Sequence, residues 1–313
     1  MKSRIWLALI VIYIAWGSTY LAIRFAVESI PPFLMAATRF LIAGSLVFIW
    51  RRLAGDPLPT RAQWRSAAIA GLLLLLGGNG LVTWAEQHLP SGFAALLVAT
   101  TPLWMVFVEA LWPGGKRPTW QTLLGVLVGL VGIVILVGFE EITGSHARFD
   151  FLGVIALLLA SLSWAIGSIY SRGADLPKSA FLGTGMEMLA GSASLYLLGT
   201  LSGEWNRLDL TAITSRSLAG LGYLIVVGSL VGFAAYTWLL RVAPTSLLST
   251  YAYVNPLIAV ILGSILAQEE LTPRLLLATP LILFSVLLIN LARSIDVKRE
   301  STRLTVPTSG SDD

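Results

Sequence analysis

The sequence predicts an all-α membrane protein in which ten transmembrane helices form two inverted five-helix repeats. Three observations carry this prediction: an apolar composition, ten apolar runs of about 20 residues, and motifs that recur at a constant spacing. Of the 313 residues, 56% are apolar or aromatic and 12% are charged, whereas about 25% of residues are charged in a soluble domain. This composition argues against a soluble enzyme.

The ten apolar runs are bounded by charged or turn-forming residues, as membrane-spanning helices are. The first run follows Lys2 and Arg4 like a signal peptide, but it continues without a small-residue cleavage site, so we predict an uncleaved span. Residues 293–313 show little apolar periodicity and are predicted to form a disordered cytoplasmic tail. The first repeat (5–138) contains the runs 5–26, 33–50, 65–86, 92–112 and 119–138, and the second (151–292) contains 151–170, 180–201, 216–240, 247–267 and 275–292.

The two halves share motifs at an offset of 154 residues. Because each half has five spans, an odd number, the second half must be inverted in the membrane relative to the first. Inverted repeats are typical of secondary transporters, whose substrate site lies near the membrane midplane between the repeats. The matched motifs are Thr83-Trp84 with Pro90 and Thr237-Trp238 with Pro244, and Thr101-Pro102-Leu103 and Asn255-Pro256-Leu257.

The distribution of Lys and Arg predicts the orientation, because cytoplasmic loops retain positive charge. With the N-terminus inside, only six of the 21 basic residues fall in outer loops or outer helix halves. Both termini are therefore predicted to be cytoplasmic, in a protein of the cell inner membrane. The six are Arg24, Arg39, Arg148, Arg207, Arg216 and Arg274.

Four spans contain helix-weakening residues near mid-depth. Gly77-Gly78-Asn79-Gly80 lies in the third span, Gly228 and Gly232 lie in the eighth, and Pro102 and Pro256 occupy matching positions in the fourth and ninth. Each proline removes one intrahelical hydrogen bond, and the freed backbone must face protein or a water-lined cavity. Matched interruptions indicate a transport site, although close helix packing would also retain small residues.

Charged residues inside spans are candidates for gating or coupling, because they are costly in a membrane. Arg39 could bind a carboxylate, and Glu187 could bind an ammonium group or carry a coupling proton, but helix packing would equally retain both. Glu86 lies near a span end, where a structural role competes with a functional one. With the two prolines, the candidates for gating or coupling are Arg39, Glu86, Pro102, Glu187 and Pro256.

Amide, hydroxyl and aromatic side chains near the interrupted centres are candidates for substrate binding. Amides supply both donors and acceptors, and aromatic rings with polar tips suit a partly apolar cavity. Helix packing or a position at the membrane interface is the alternative for each aromatic residue. The candidates are Trp16, Tyr20, Asn79, Trp84, Thr101, Trp164, Tyr170, Trp238, Tyr251 and Asn255.

The sequence argues against enzymatic chemistry. It has no cysteine and two histidines, His88 and His146, both near predicted outer loops. A deep metal cluster or a Ser-His dyad is therefore not expected, and neither is a cofactor. The net charge of +4 is too small and dispersed to indicate a nucleic-acid partner.

These residues also carry a resemblance to a known family. The chain resembles the EamA family of the drug/metabolite transporter superfamily, in particular its YedA-type bacterial permeases, over residues 5–292. The resemblance implies a ten-helix inner-membrane permease with a central cavity formed by the first, third, fourth, sixth, eighth and ninth spans. It is carried by Trp16-Gly17-Ser18-Thr19-Tyr20, Arg39-Phe40, Gly78-Asn79-Gly80, Pro90-Ser91-Gly92, Ser163-Trp164, Glu187-Met188-Leu189 and Tyr251-Ala252-Tyr253-Val254-Asn255-Pro256.

The resemblance implies transport of small metabolites such as amino acids, often outward. We therefore predict a secondary transporter that works by alternating access, embedded in lipid, with a proton as the candidate coupling ion, as a monomer or homodimer. The halves differ chemically, because Glu187 lies near the position where the first half has Arg39. The alternatives are an uncoupled facilitator or channel of the same fold, a membrane sensor, or a lipid-handling protein.

Overall fold

The computed structural model describes residues 2–114, 118–137, 151–243 and 250–305. Within these ranges the chain is built from helices, and no strand occurs. In the first half the helices are α1 (Lys2–Gly17), α2 (Thr19–Ala26), α3 (Pro32–Leu53), α4 (Arg61–Gly71), π1 (Leu72–Gly80), α5 (Leu81–Ala85), α6 (Ser91–Val98), α7 (Thr101–Leu111) and α8 (Trp120–Val137). In the second half they are α9 (Phe151–Gly173), α10 (Ala180–Leu201), α11 (Glu204–Arg207), α12 (Ser215–Tyr223), π2 (Leu224–Val231), α13 (Gly232–Val242), α14 (Tyr251–Leu266) and α15 (Pro273–Thr305).

Eight helical stretches of the described chain are long and apolar enough to cross a membrane, and a shorter apolar helix covers Val254–Leu266. The helix α10 has the length of a span but is less apolar, since it carries Glu187 and several Gly and Ser residues. Large apolar side chains such as Leu46, Leu127 and Leu277 are exposed on the outside of these helices. Such a surface suits lipid and not water.

Two pairs of helices pack along their length: α3 with α10, and α8 with α15. Small residues allow the second contact, because a Cβ added at Gly125 or Gly132 would approach Ile289 or Ile282 of α15 to 2.8 or 2.7 Å. Gly129, four residues after Gly125, faces the same helix, since its Cβ would lie 2.8 Å from Oγ of Ser285. Small residues at four-residue spacing are a common means of close packing between membrane helices. The fifth and tenth apolar runs thus pack against each other.

The predicted interruptions of the third and eighth spans take the form of π-helices. Leu72–Gly80 and Leu224–Val231 are both wound as π-helix between α-helical segments. Long π-helical stretches are rare, and they are frequent at functional sites. The glycines predicted to weaken these spans therefore coincide with a rewinding of the helix, and the chain stays helical through both.

The two matched prolines behave differently. In the fourth span the helix stops at Val98 and restarts at Thr101, with Pro102 in its first turn, and the hydroxyl of Thr101 donates to the carbonyl of Val98 at 2.6 Å. In the ninth span the predicted interruption is wrong, because α14 continues through Pro256. An internal proline removes one hydrogen bond without necessarily ending a helix. Pro244, a member of the predicted repeat, lies outside the described residues.

The predicted disordered tail is helical over its first part. Helix α15 continues from Pro273 to Thr305, well past the predicted end of the last span. No Gly or Pro occurs between Pro280 and Pro307, so the sequence contains no residue that would stop the helix before that point. Residues 306–313 lie outside the described part of the chain.

Candidate functional site

A cavity of about 320 Å³ lies between the two halves of the chain. Its wall combines apolar and aromatic side chains with a few polar groups, which is the usual character of a small-molecule site. The first half contributes residues from α1, α2, α3, π1, α5, α6, α7 and the break between α6 and α7, and the second half contributes residues from α9, α13, α14 and α15. Its aromatic residues are Trp16, Tyr20, Phe40, Trp164, Phe233, Tyr236 and Tyr251.

Most of the residues predicted as candidates meet at this cavity. The substrate-binding candidates that line it are Trp16, Tyr20, Asn79, Thr101, Trp164, Tyr251 and Asn255, and the gating candidates that line it are Arg39, Pro102 and Pro256. These side chains come from distant parts of the sequence, so the fold brings them together. Their roles in binding or gating stay predictions.

Five candidates lie away from the cavity wall. Trp84 packs on the hydrophobic core beside His88, with ring centres 5.2 Å apart. Tyr170 is half-buried, Trp238 is 36% exposed, and neither lines the cavity. Glu187 lies on α10, where the helix meets Gly71 of α4, and its backbone oxygen would be 2.5 Å from a Cβ at Gly71.

Glu86, the fifth of these candidates, is buried just after α5, at 1% exposure. Within the described residues, neither of its carboxylate oxygens has a hydrogen bond of good geometry. The charges of Arg24, Arg39 and Glu269 all act on it. Glu86 therefore interacts electrostatically both with Arg39 of the cavity wall and with Arg24 and Glu269, which lie outside that wall.

Two glycines that are equivalent under the repeat position the cavity tryptophans. Gly78 of π1 and Gly232, the first residue after π2, are 154 residues apart. A Cβ at Gly78 would lie 2.7 Å from the ring of Trp164, and a Cβ at Gly232 would lie 2.4 Å from Nε1 of Trp16. In each half, therefore, a glycine packs directly against a tryptophan of the other half.

The indole of Trp16 is fixed by contacts within the second half. Its Nε1 donates to the carbonyl of Gly228 in π2 at 3.1 Å. Its ring centre lies 5.1 Å from Tyr236, 5.3 Å from Tyr251 and 5.6 Å from Phe233. Aromatic rings at these distances stabilise one another and present flat faces to a bound molecule.

Arg39 is the charged residue of the cavity wall and is 5% exposed. Its Nε donates to Oγ of Ser229 in π2 at 2.9 Å, and its guanidinium carbon lies 4.8 Å from the ring centre of Phe40. Among the described residues no carboxylate approaches Arg39 within 4 Å, although Glu86 attracts it over a longer distance. A buried cation of this kind is usually paired.

Three asparagines line the cavity: Asn79, Asn255 and Asn290. Asn255 of α14 is 7% exposed, and its Oδ1 has no hydrogen-bond partner within the described residues. Asn79 of π1 lines the wall, and its backbone oxygen accepts from the hydroxyl of Thr83 at 2.8 Å. An amide oxygen without a donor can accept a hydrogen bond from a bound molecule.

Charged contacts join the two halves at one end of the cavity. The carboxylate of Glu269 accepts from the backbone N–H of Ser91 and of Gly92 at 2.7 and 3.0 Å. Arg24 lies 3.5 Å from the same carboxylate and donates to the carbonyl of Leu89 at 3.1 Å. A carboxylate at a helix N-terminus satisfies backbone donors and favours the helix dipole.

A second ion pair lies at the ends of α7 and α9. Arg172 donates to Glu109 at 2.7 Å, and both side chains are partly exposed. Tyr13 of α1 and Thr250 of the second half also share a hydrogen bond between hydroxyl groups. Contacts therefore link the two halves at two separate sets of loops.

Two carboxylates between longer helices also bond the starts of helices in the opposite half. Glu204 accepts from the backbone N–H of Phe33 and of Leu34 at 3.2 and 2.9 Å, and burial raises its pKa. Asp56 binds Arg51 through two hydrogen bonds of 2.8 and 2.7 Å and also bonds Ser179, the N-cap of α10. These hydrogen bonds lower the pKa of Asp56 to about 2.

A model of the EamA-like transporter family matches residues 3–138 and 151–291. The chain belongs to the EamA-like transporter family. This confirms the resemblance noted in the sequence. The transporter is a membrane protein of the EamA type, and proteins of this family are transporters and not enzymes.

Relatives of this transporter cover nearly its whole length. The uncharacterized inner membrane transporter YedA of Escherichia coli strain K12 is 41% identical over 288 residues, covering 91% of this chain and 90% of that protein. A probable terminal-alkyne amino-acid exporter of Streptantibioticus cattleyicolor is 25% identical, covering 96% and 98%. A protein of known crystal structure superposes with a TM-score of 0.64 at 23% identity, covering 92% and 98%, which shows the shared fold.

The sequence did not identify several residues that line the transporter's cavity or join its two halves. Tyr236 and Phe233 line the cavity one turn from each other on α13, and Ser229 holds Arg39. The repeat pointed instead to Trp238, two residues beyond Tyr236. Arg24 and Glu269 were missed as an ion pair because they are 245 residues apart, and only their shared proximity to predicted loop ends could have indicated it.

Proposed function

We propose that this transporter moves amino acids or closely related small metabolites outward across the cell inner membrane by alternating access. The observation that carries the proposal is the cavity of about 320 Å³ between the halves, which combines a buried Arg39, three asparagine amides and several aromatic side chains. Such a lining suits a molecule with both a charged group and an apolar side chain. The similarity to a probable amino-acid exporter agrees with this substrate class and direction.

The contacts between halves support ten spans in an inverted repeat. The loop after α3 reaches the start of α10 through Asp56 and Ser179, and the loop after α10 reaches the start of α3 through Glu204. A pseudo-two-fold axis in the membrane plane predicts this reciprocity. With ten crossings, each of these contacts joins two loops on the same side of the membrane.

The same topology assigns sides to the two closures. With both termini cytoplasmic, as the Lys and Arg distribution predicts, the ion pair of Arg24 and Glu269 lies on the outer side. The pair of Arg172 and Glu109 then lies on the cytoplasmic side. Alternating access requires these closures to open in turn around a fixed site.

We infer that the hinges of this motion lie at the irregular segments of the helices. The break between α6 and α7 and the segment π1 contribute residues to the cavity wall. The segment π2 holds two side chains of that wall, through the hydrogen bonds of Trp16 with Gly228 and of Arg39 with Ser229. The backbone there departs from a regular α-helix. A change of dihedral angles at these segments therefore breaks fewer helical hydrogen bonds than the same change inside a regular helix. Pro102 and Pro256 flank the same region, which is why we retain them as gating residues.

Counterflow of labelled amino acids into proteoliposomes tests the proposal. Wild-type protein is expected to exchange at least one amino acid, and the Asn255→Ala variant to lose most of that exchange because the cavity loses a buried acceptor. The matched control is Asn206→Ala, since Asn206 lies on the exposed surface of α11. Absence of exchange for every amino acid and related metabolite, in protein that elutes as a single species, would refute the proposed substrate class.

An imposed pH gradient separates coupled from uncoupled transport in the same vesicles. Accumulation above equilibrium that depends on the gradient would support proton coupling, with Glu86 and Glu187 as the carboxylates to replace by Gln. Equilibration without accumulation would support the facilitator of the same fold. Neither outcome changes the location of the cavity.

A further inference from the structure

The surroundings of Arg39 leave most of its hydrogen-bonding capacity unused. A guanidinium has five N–H donors, and within the described residues only the Nε donor is used, by Ser229 at 2.9 Å. The remaining donors lie on the two terminal nitrogens of a side chain that lines the cavity and is 5% exposed. Planar paired donors of this kind match the two oxygens of a carboxylate.

The backbone beside Arg39 is shaped to keep that guanidinium in place. A Cβ at Gly228 would lie 3.1 Å from a terminal nitrogen of Arg39 and 2.9 Å from the methyl group of Thr19. Gly228 and Ser229 are neighbours in π2, so one π-helical segment supplies both the space for the guanidinium and the hydroxyl that holds its Nε.

The rest of the cavity wall offers acceptors and aromatic faces but no second charge. Among the described residues, no Asp or Glu lines the cavity. The Oδ1 of Asn255 is buried there without a donor. The wall is therefore complementary to a molecule that carries a carboxylate at one place and a hydrogen-bond donor at another.

We propose that Arg39, held by Ser229, is the carboxylate-binding residue of the cavity, and that Oδ1 of Asn255 accepts a hydrogen bond from the donor group of the same substrate. This assignment rests on the proposed transport function and makes it more specific. The ligand class is an amphipathic carboxylate, such as an α-amino acid with an apolar side chain. Amphiphilic amines without a carboxylate are excluded as preferred substrates.

Paired probes test the carboxylate assignment on the purified full-length protein. The probes are leucine against leucinamide, phenylalanine against phenylalaninamide, and 3-phenylpropionate against phenethylamine, each added to detergent-solubilised protein while thermal unfolding is followed. At least one carboxylate is expected to raise the unfolding temperature at concentrations about 10- to 100-fold lower than its partner, an amine that lacks the carboxylate. This is the range of one charge-assisted hydrogen-bonding pair.

Variants then connect this preference with Arg39. Arg39→Gln is expected to remove the preference for the carboxylate, Arg39→Lys to restore part of it, and Ser229→Ala to weaken it. The matched control is Arg61→Gln, because Arg61 is exposed at the start of α4. If Arg39→Gln does not fold, Ser229→Ala and Arg39→Lys still report the preference.

Glu86 provides the rival account, since it attracts Arg39 electrostatically. If Arg39 served only as a counter-ion for Glu86, replacing both by uncharged residues would restore carboxylate binding. Such a rescue would overturn the proposal, as would an Arg39→Gln variant that keeps the preference, or a wild-type protein that no carboxylate stabilises. Counterflow of an amine in place of carboxylates would overturn it while leaving the transport function intact, whereas absence of all flux would count against transport itself.

Discussion

The substitution Gly232→Ala tests how closely the two halves approach at the cavity. Gly232 begins α13, and a Cβ there would lie 2.4 Å from Nε1 and 2.9 Å from Cδ1 of Trp16. Ordinary van der Waals contact begins near 3.4 Å, so the indole must move by about 1 Å. That movement pulls Nε1 away from the carbonyl of Gly228, with which it shares a hydrogen bond of 3.1 Å.

The size of the effect follows from three terms. Overpacking a well-packed contact costs about 1 to 3 kcal/mol, and loss of the indole hydrogen bond costs about 0.5 to 1.5 kcal/mol. The higher helix propensity of alanine offsets up to about 1 kcal/mol. We therefore expect a net loss of about 0.5 to 4.5 kcal/mol, and weaker substrate binding because Trp16 lines the cavity.

Thermal unfolding in detergent, followed by tryptophan fluorescence, measures this loss. The matched control is Gly222→Ala in the same span, because a Cβ at Gly222 meets no atom within 4 Å. That control is expected to be neutral or slightly stabilising. A Gly232→Ala protein as stable as the control, with unchanged substrate exchange, would refute the inferred contact between Trp16 and π2.

Three further substitutions test other parts of the fold by thermal unfolding. Glu269→Gln should lower stability by about 1 to 3 kcal/mol, since a charged acceptor of two backbone N–H groups is lost, whereas exposed Glu270→Gln should have little effect. Gly71→Ala should destabilise strongly, since its Cβ would lie 2.5 Å from a backbone oxygen of α10; loss of stability no greater than in Gly173→Ala would contradict this. The pKa of Asp56 is about 2 when folded and about 3.9 when unfolded, so the folded state binds fewer protons and wild-type stability should fall as the pH drops from about 4 to about 2. Asp56→Asn should lack this part of the pH dependence.

The interrupted spans show how far sequence patterns reach. The glycines of Gly77-Gly78-Asn79-Gly80 identified a weak point in the third span, and the structure has a π-helix there. Matched prolines gave a less reliable indication, because the helix breaks near Pro102 and continues through Pro256. Local residue type sets the tendency of a helix to break, but the surrounding helices determine whether it does.

The choice between neighbouring side chains was beyond the sequence. Tyr236 lines the cavity, whereas Trp238, which the repeat suggested, does not. Successive residues of an α-helix are about 100° apart. Tyr236 and Trp238 are two positions apart on α13, so they face nearly opposite directions. A membrane helix is apolar on all sides, so its sequence does not show which face is turned inward. The depth of a residue in the membrane was predictable, whereas the side of the helix facing the cavity was not.

The helical and membrane-embedded character of the chain could be predicted from composition alone, since runs of about 20 apolar residues partition into lipid as helices. The family could be recognised from short motifs along the chain, which need no knowledge of how the helices pack. Which candidates share the cavity became clear from the packing of the helices. That outcome depends on contacts such as the one between Trp16 and Gly228, which are 212 residues apart and meet through the packing of one half on the other.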